Sequence, residues 1–372
     1  MDKSGFYIDL DAVTTQEKHR LTHNIHPYPA KYIPQIPGTL LDYLPLPSQS
    51  IVMDPFCGSG TTLLEAAIRG YDAIGIDSNP IATLISRTKC TQLSEKQCAQ
   101  VEKVLTELSL FDSAYEAAII PEFLNRDHWF QRNMQKELGY IKYIIERNSD
   151  PQVLDFLRTA FSAIIVKSSN QESDTRWRAI EKNLPDGFAL DEFKKKAKDM
   201  LCRINQLREY PLGSVSVKTQ DSRFIDFIKD ESLACAITSP PYMNSFDYYL
   251  YHKLRMFWLG YDHYLAQDAE IGSRNKHCDN GRGIGEYVDS IYQVVAQVYH
   301  KLIPHGYFCA VIGDSIYKDE LIHMDDVYND IAHRAGLKTM EVFSFDQRKY
   351  TRAFTPNLKT IVKHSHLMIF QK

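Results

Sequence analysis

The chain has little excess of charge of either sign: 43 basic against 47 acidic residues in 372 leave a formal net charge of -4. Total charge therefore neither demands a polyanionic partner nor excludes one, and any surface for nucleic acid has to come from local clustering. No run approaches the roughly 18 consecutive apolar residues of a membrane span, and the opening MDKSGFYIDLDAV carries acids where a secretory leader needs an apolar stretch. These absences argue against a helical membrane protein and predict a cytoplasmic one. The seven cysteines (Cys57, Cys90, Cys98, Cys202, Cys235, Cys278, Cys309) make no C-x-x-C pair, which excludes a disulfide framework and the usual zinc spacing, so no metal is expected. Internal repeats and low-complexity tracts are also missing, which excludes solenoids and tails. With 44% hydrophobic residues, there is enough material for a large catalytic domain with an insertion, or for two modest domains.

Several apolar runs end in turn or acidic residues. Ser50 to Met53 precedes Asp54, Ala73 to Ile76 precedes Asp77, and Ala234 to Ile237 precedes Thr238; each reads as a buried parallel strand. Tyr307 to Ile312, ending at Gly313-Asp314, adds a further strand, and His366 to Phe370 the last. In an open α/β sheet the ligand crevice lies beyond the carboxyl ends of the strands, so the residues that follow these runs are the functional candidates. Between Leu93 and Tyr210 the periodicity turns helical, as in Glu122 to Arg147 and Asp191 to Arg208, which predicts a helical insertion. Gly272 to Gly285, GSRNKHCDNGRGIG, reads as a mobile loop.

The string Asp54-Pro55-Phe56-Cys57-Gly58-Ser59-Gly60-Thr61-Thr62 follows the first strand and leads into a helix-like stretch, Leu63 to Arg69. Two glycines permit a tight turn and close backbone approach to a ligand, and a helix start offers amide donors to a carboxylate. The lack of a Gly-Lys-Ser/Thr tail excludes a phosphate-binding P-loop, and G-x-G-x-x-G is not matched. About twenty residues on, Asp77 ends the next strand, where a carboxylate can accept two ribose hydroxyls. By itself Asp77 reads equally well as a cap for the helix starting at Pro80.

The nine-residue string resembles the F-x-G-x-G cofactor motif of the DNA amino-methyltransferases, and Gly75-Ile76-Asp77-Ser78-Asn79-Pro80 resembles the acidic segment that follows it. The resemblance implies an α/β fold, a Rossmann-like, seven-stranded, mostly parallel sheet, binding S-adenosyl-L-methionine. It implies that Asp54, Pro55, Phe56, Cys57, Gly58, Ser59, Gly60, Thr61 and Thr62 hold the methionine part of that cofactor, and Asp77, Ser78 and Asn79 its ribose side. His26 to Pro34 is similar to the motif that flanks the methionine end in some of these enzymes, with Tyr28, Lys31 and Tyr32 as candidates; an N-terminal arm packed on the sheet would look the same. Lys218-Thr219-Gln220-Asp221-Ser222 is similar to the segment whose acid, here Asp221, meets the cofactor's adenine amine; a lone turn acid is the plainer reading.

Thr238-Ser239-Pro240-Pro241-Tyr242 is the most informative string. Two prolines fix φ twice and remove two donors, leaving carbonyls in a rigid direction. An exocyclic base amine is a poor nucleophile because its lone pair is delocalised. Accepting its two N–H bonds from a serine oxygen and a proline carbonyl favours a more pyramidal, reactive nitrogen. Tyr242 would stack on a base taken out of the duplex. A polyproline turn or peptide ligand would share the letters, but not the place after a buried strand. The string resembles the catalytic motif of the same family, and its serine is the form found in most cytosine N4 enzymes, where adenine enzymes more often carry Asp or Asn. The absence of any Pro-Cys dipeptide speaks against carbon-5 methylation, and Cys57 is expected to be a small turn residue only.

The sequence is therefore expected to divide into 1–92, an N-terminal arm and cofactor-binding half; 93–210, a helical insertion and possible target-recognition region; and 211–372, the catalytic half of the same domain. Within the insertion, Ser168 to Arg178 supplies polar and guanidinium groups, above all Arg176 and Arg178, able to read base edges or phosphates. An interhelical loop is the alternative. After the proline pair, Phe246 to Leu259 reads as an aromatic-rich helix, mostly core. His364-Ser365-His366 shares a strand face, with no carboxylate or thiolate spaced to complete a metal site. The function expected is transfer of a methyl group from S-adenosyl-L-methionine to cytosine N4 in double-stranded DNA, in a restriction-modification system with a separate endonuclease. Adenine N6 in DNA is the alternative, then an RNA or protein amine, then a non-catalytic DNA-binding module.

Overall fold

The computed structural model describes residues 12–111, 118–174, 176–243, 247–273, 284–317, 320–346 and 363–372. The apolar runs form strands because each is buried on both faces and can satisfy its backbone only through neighbouring strands. In chain order the strands are β1 (Ile51–Asp54), β2 (Asp72–Asp77), β3 (Gln171–Ser173), β4 (Arg176–Ala179), β5 (Val215–Thr219) and β6 (Leu233–Thr238). They continue as β7 (Leu302–Gly313), β8 (Ser315–Tyr317), β9 (Glu320–Ile322), β10 (Lys338–Asp346) and β11 (His364–Gln371). Every residue of β6 is buried, whereas the edge strand β5 exposes alternate positions.

Seven of these strands make one sheet in the order β10-β11-β7-β6-β1-β2-β5. Pairing is parallel from β5 through β2, β1 and β6 to β7, and β11 runs antiparallel between β7 and β10. The chain steps one way from β1 to β2 and the other way from β6 to β7. The order therefore reverses between β1 and β6, and the crevice at their carboxyl ends is the place where such sheets bind ligands. The glycine string leaves β1 and the proline pair leaves β6, so the two motifs flank that crevice although about 180 residues separate them.

Between β2 and β5 the chain builds helices Pro80–Cys90, Glu95–Glu107, Arg132–Glu146, Pro151–Ile165 and Phe188–Asn205. Their starts are written locally. Ser94 and Gln97 form a reciprocal cap, and Asp150 accepts from the amides of Gln152 and Val153 ahead of Pro151 at the first helical position. One apolar cluster joins these helices to helix Tyr248–Leu259 through Phe156, Phe161, Phe193 and Trp258, and two further clusters cover the faces of the sheet. The polar segment Ser168 to Arg178 is in part a hairpin, β3 against β4, with Thr175 outside the described residues. Of the predicted mobile loop Gly272 to Gly285, residues 274–283 lie outside the described residues, as does Phe246 at the start of the aromatic helix. No described helix is long and apolar enough to cross a membrane, and the six described cysteines are free.

Candidate active site

The glycine turn is held from several directions. Asp54, fully buried at the end of β1, accepts from the Phe56 amide (3.0 Å) and the Thr62 hydroxyl (2.8 Å). The Thr62 hydroxyl also lies 3.1 Å from the Ile237 carbonyl of β6 and bonds the Tyr32 hydroxyl. Gly58 and Gly60 have φ of +49° and +76°, in the left-handed region that glycine enters without a side-chain penalty. A Cβ on Gly60 would stand 3.0 Å from the Ser86 Cα, so both backbone and neighbour demand glycine there.

Asp77 joins the turn to the next strand. Its Oδ2 accepts from the Gly58 amide (2.9 Å) and its Oδ1 from the Asn79 amide (2.8 Å). The capping role that Asp77 alone would suit belongs to Asn79, whose Oδ1 accepts from Ile81 (2.9 Å) at the start of helix Pro80–Cys90. Burial pushes the Asp77 carboxyl up to about 6, against the pull of its two amide donors, and Asp54 likewise to about 6. Burial also drives the Cys57 thiol far above its usual range, which makes it unreactive.

A cavity open to solvent lies over the crevice. Of the sequence candidates, Tyr28, Lys31, Tyr32, Phe56, Cys57, Gly58, Ser59, Thr61, Asp77, Ser78, Asn79, Asp221, Ser239 and Pro241 line it. Asp54, Pro55, Gly60, Thr62, Pro240 and Tyr242 do not; Asp54 and Thr62 brace the glycine turn. Tyr242, expected to stack on a base, is half-buried outside the lining, with its hydroxyl in a hydrogen bond with the Ser239 side chain. The aromatic surface facing the cavity comes from Tyr28 and Tyr248, stacked with centroids 5.9 Å apart, and His252 stacks on Tyr28 from behind at 5.2 Å. Asp221 is paired with Arg223 (2.6 Å), while its neighbour Ser222 donates to the Pro55 carbonyl and ties that loop to the glycine turn. The Pro241 carbonyl accepts from the Tyr287 hydroxyl (3.0 Å), which also bonds Tyr328.

Sequence reasoning missed Ser222, Tyr248 and Glu270 in this wall. Glu270 accepts from the Tyr248 and Tyr249 amides (2.7 and 3.1 Å), satisfying the start of helix Tyr248–Leu259 from 22 and 21 residues further along, and burial raises its carboxyl to about 8. Nothing local in the sequence signals that contact. Arg176 and Arg178 lie away from the cavity, exposed on one face of β4; Arg176 pairs with Glu172 (2.8 Å), and Trp177 between them packs on Trp129. His366 has neighbours from other elements. Asp314 (3.1 Å) and Asp325 (3.7 Å) are brought to its ring from β7's end and from helix Met324–Ala335, carboxylates that strand spacing could not reveal. Both ring nitrogens already have partners, Asp314 and the Ser344 hydroxyl.

The sheet order, the crevice at its reversal and the two motifs that flank it define a Rossmann-like methyltransferase fold. The DNA methylase family model matches residues 9–86. The Type II methyltransferase M.MvaI of Kocuria varians is 25% identical over 244 residues, covering 60% of this chain and 54% of that protein. The Type II methyltransferase M.BsoBI of Geobacillus stearothermophilus is 22% identical over 415 positions, covering 89% of this chain and 82% of that protein. This chain thus spans about half the length of the first relative and most of the second. A crystal structure of a SAM-dependent methyltransferase from Methanosarcina mazei aligns with 90% of this chain and 96% of its own at 9% identity, with a TM-score of 0.35, too low to add to the strand order. By its matching segment and these relatives, the chain is similar to the DNA amino-methyltransferases.

Proposed function

We propose that this protein transfers a methyl group from S-adenosyl-L-methionine to the exocyclic N4 amine of cytosine in double-stranded DNA, as the modification partner of a separate restriction endonuclease. The observation that carries this reading is that one cavity is lined by Gly58, Ser59, Asp77 and Asp221 together with Ser239 and Pro241. The residues fit the cofactor. Asp77 keeps a lone pair on each oxygen for a ribose hydroxyl beyond its amide donors. Two carboxyls in the cavity wall, Asp77 and Glu270, suit a ligand with positive charge.

When bound, the cofactor supplies a methyl group on a positively charged sulfur, an excellent leaving group. The protein's task is then to orient and polarise the amine. Ser239 Oγ accepts one amine hydrogen, and a carbonyl of the proline pair accepts the other. Tyr242 fixes the Ser239 hydroxyl, and Tyr287 fixes the proline pair through Pro241. Tyr28 and Tyr248 offer the faces on which an extruded base can stack. The serine at 239 is the reason for preferring cytosine over adenine. We further assign residues 93–210 as the region that contacts the target sequence, with Arg176 and Arg178 on its surface, and residues 1–92 and 211–372 as the two halves of the catalytic domain.

The test is to incubate the purified protein with unmethylated genomic DNA and labelled cofactor, digest the product and identify the modified nucleoside by mass spectrometry. N4-methylcytosine is the expected product. N6-methyladenine would overturn the role given to Ser239 while keeping the reaction, and label absent from DNA but present in RNA would overturn the substrate.

A further inference from the structure

Lys89, on helix Pro80–Cys90, is 1% exposed, yet among the described residues no carboxylate lies within ion-pair distance of its ammonium. Its Nζ donates to the Ser59 hydroxyl at 3.3 Å. The acid on the adjoining helix, Glu65, is already held by Arg20, His23 (2.8 Å) and Arg69 (2.7 Å). Lys31, from the N-terminal arm, approaches the same side. Its ammonium bonds the His23 carbonyl (2.9 Å) and likewise has no carboxylate among the described residues. Lys31 and Ser59 both line the cavity. Burying an ammonium without a counter-ion costs several kcal/mol, and bringing a second cation near adds repulsion. An arrangement of this kind is balanced only when an anion enters. Because Ser59 Oγ accepts from Lys89, its own hydrogen is left to point at a ligand.

We propose that Lys89 is a positioning residue for this ligand: acting through Ser59, it completes with Lys31 the place where the carboxylate at the amino-acid end of the methyl donor is held. This rests on the cofactor reading given above and names the part of the ligand that each group meets. The surroundings agree with it. Lys89 faces Lys31, Cys57, Cys90 and Glu65, and burial together with the Lys31 charge holds its amine down to about 7. Lys31 is held to about 8 by burial and by Lys196 and Arg203. Both groups would regain ordinary basicity beside a carboxylate.

The experiment is equilibrium binding by calorimetry of S-adenosylmethionine and of its decarboxylated analogue, which keeps the nucleoside, sulfonium and amine. Wild-type protein is expected to prefer the carboxylate-bearing ligand by about tenfold or more. Lys89→Met should weaken that ligand by about tenfold and leave the analogue within about twofold, which also shows that the variant is folded. Lys31→Met, at a partly exposed position, should show the same pattern and stands in if Lys89→Met fails to fold. Equal weakening of both ligands by these variants, or a wild-type protein indifferent to the carboxylate, overturns the subsite. Failure of wild-type protein to bind either ligand overturns instead the cofactor reading on which it rests.

Discussion

Lys89 shows how a single side chain can trade fold stability for ligand recognition. An amine held to about 7 in the fold and near 10.5 when unfolded binds fewer protons in the native state between those values, so its contribution to stability falls as pH drops from 10.5 toward 7. Replacing it with Met should therefore raise the urea stability of the ligand-free protein at pH 7 by about 1–3 kcal/mol. Binding has the opposite sign. The carboxylate needs the charged amines, and the free protein loses those charges as pH rises through about 7 for Lys89 and about 8 for Lys31. Affinity for S-adenosylmethionine is expected to decline above pH 7, by up to about tenfold per unit for each proton involved, while affinity for the decarboxylated analogue stays flatter. Calorimetric titration from pH 6.5 to 9 checks this. Parallel profiles for the two ligands would sink it. At this scale the sequence pointed to Lys31 but not to Lys89, because a lysine near the end of an amphipathic helix reads as solvated surface until its neighbours are known.

At the scale of elements, the site depends on how helices lock turns. Helix Ile284–Lys301 reaches the proline pair through Tyr287, whose hydroxyl bonds both the Pro241 carbonyl and Tyr328 on helix Met324–Ala335. Removing that hydroxyl leaves a buried carbonyl without its donor, a loss of about 1–3 kcal/mol if unrepaired, and loosens the turn that carries Ser239. Tyr287→Phe is expected to lower kcat by about tenfold with little change in cofactor Kd, since the glycine turn is braced independently by Asp54, Asp77 and Thr62. Single-turnover kinetics beside binding would separate the two; a matching loss in cofactor affinity would show that the turns are not independent. The strands of this site were legible because a buried parallel strand is a continuous apolar run, and both motifs follow such runs. Glu270 was not legible, since it satisfies amides at the start of a helix to which no local pattern connects it.

For the whole molecule, the near balance of charge hides an uneven surface. Arg176 and Arg178 stand exposed on β4, outside the catalytic sheet, and phosphate contacts made there would be released by salt. Reversing both charges is expected to weaken DNA binding by about tenfold or more at low ionic strength and to reduce its salt slope, leaving cofactor affinity unchanged. Fluorescence anisotropy across a salt series measures both quantities. Unchanged DNA binding would remove these residues from the interface.

The sequence by itself determined five strands of the main sheet, the glycine turn, the acid that closes it and the proline pair, because each is a local pattern: an apolar run, a positive φ, a fixed φ. Tertiary structure alone decided which faces point inward. It set Asp54, Thr62 and Tyr242 outside the cavity lining and Tyr248 and Glu270 in it, brought Asp314 and Asp325 to His366, and buried Lys89 without a carboxylate partner. Such facts depend on contacts between residues distant in the chain, and distance along the chain says nothing of them until the sheet order is known.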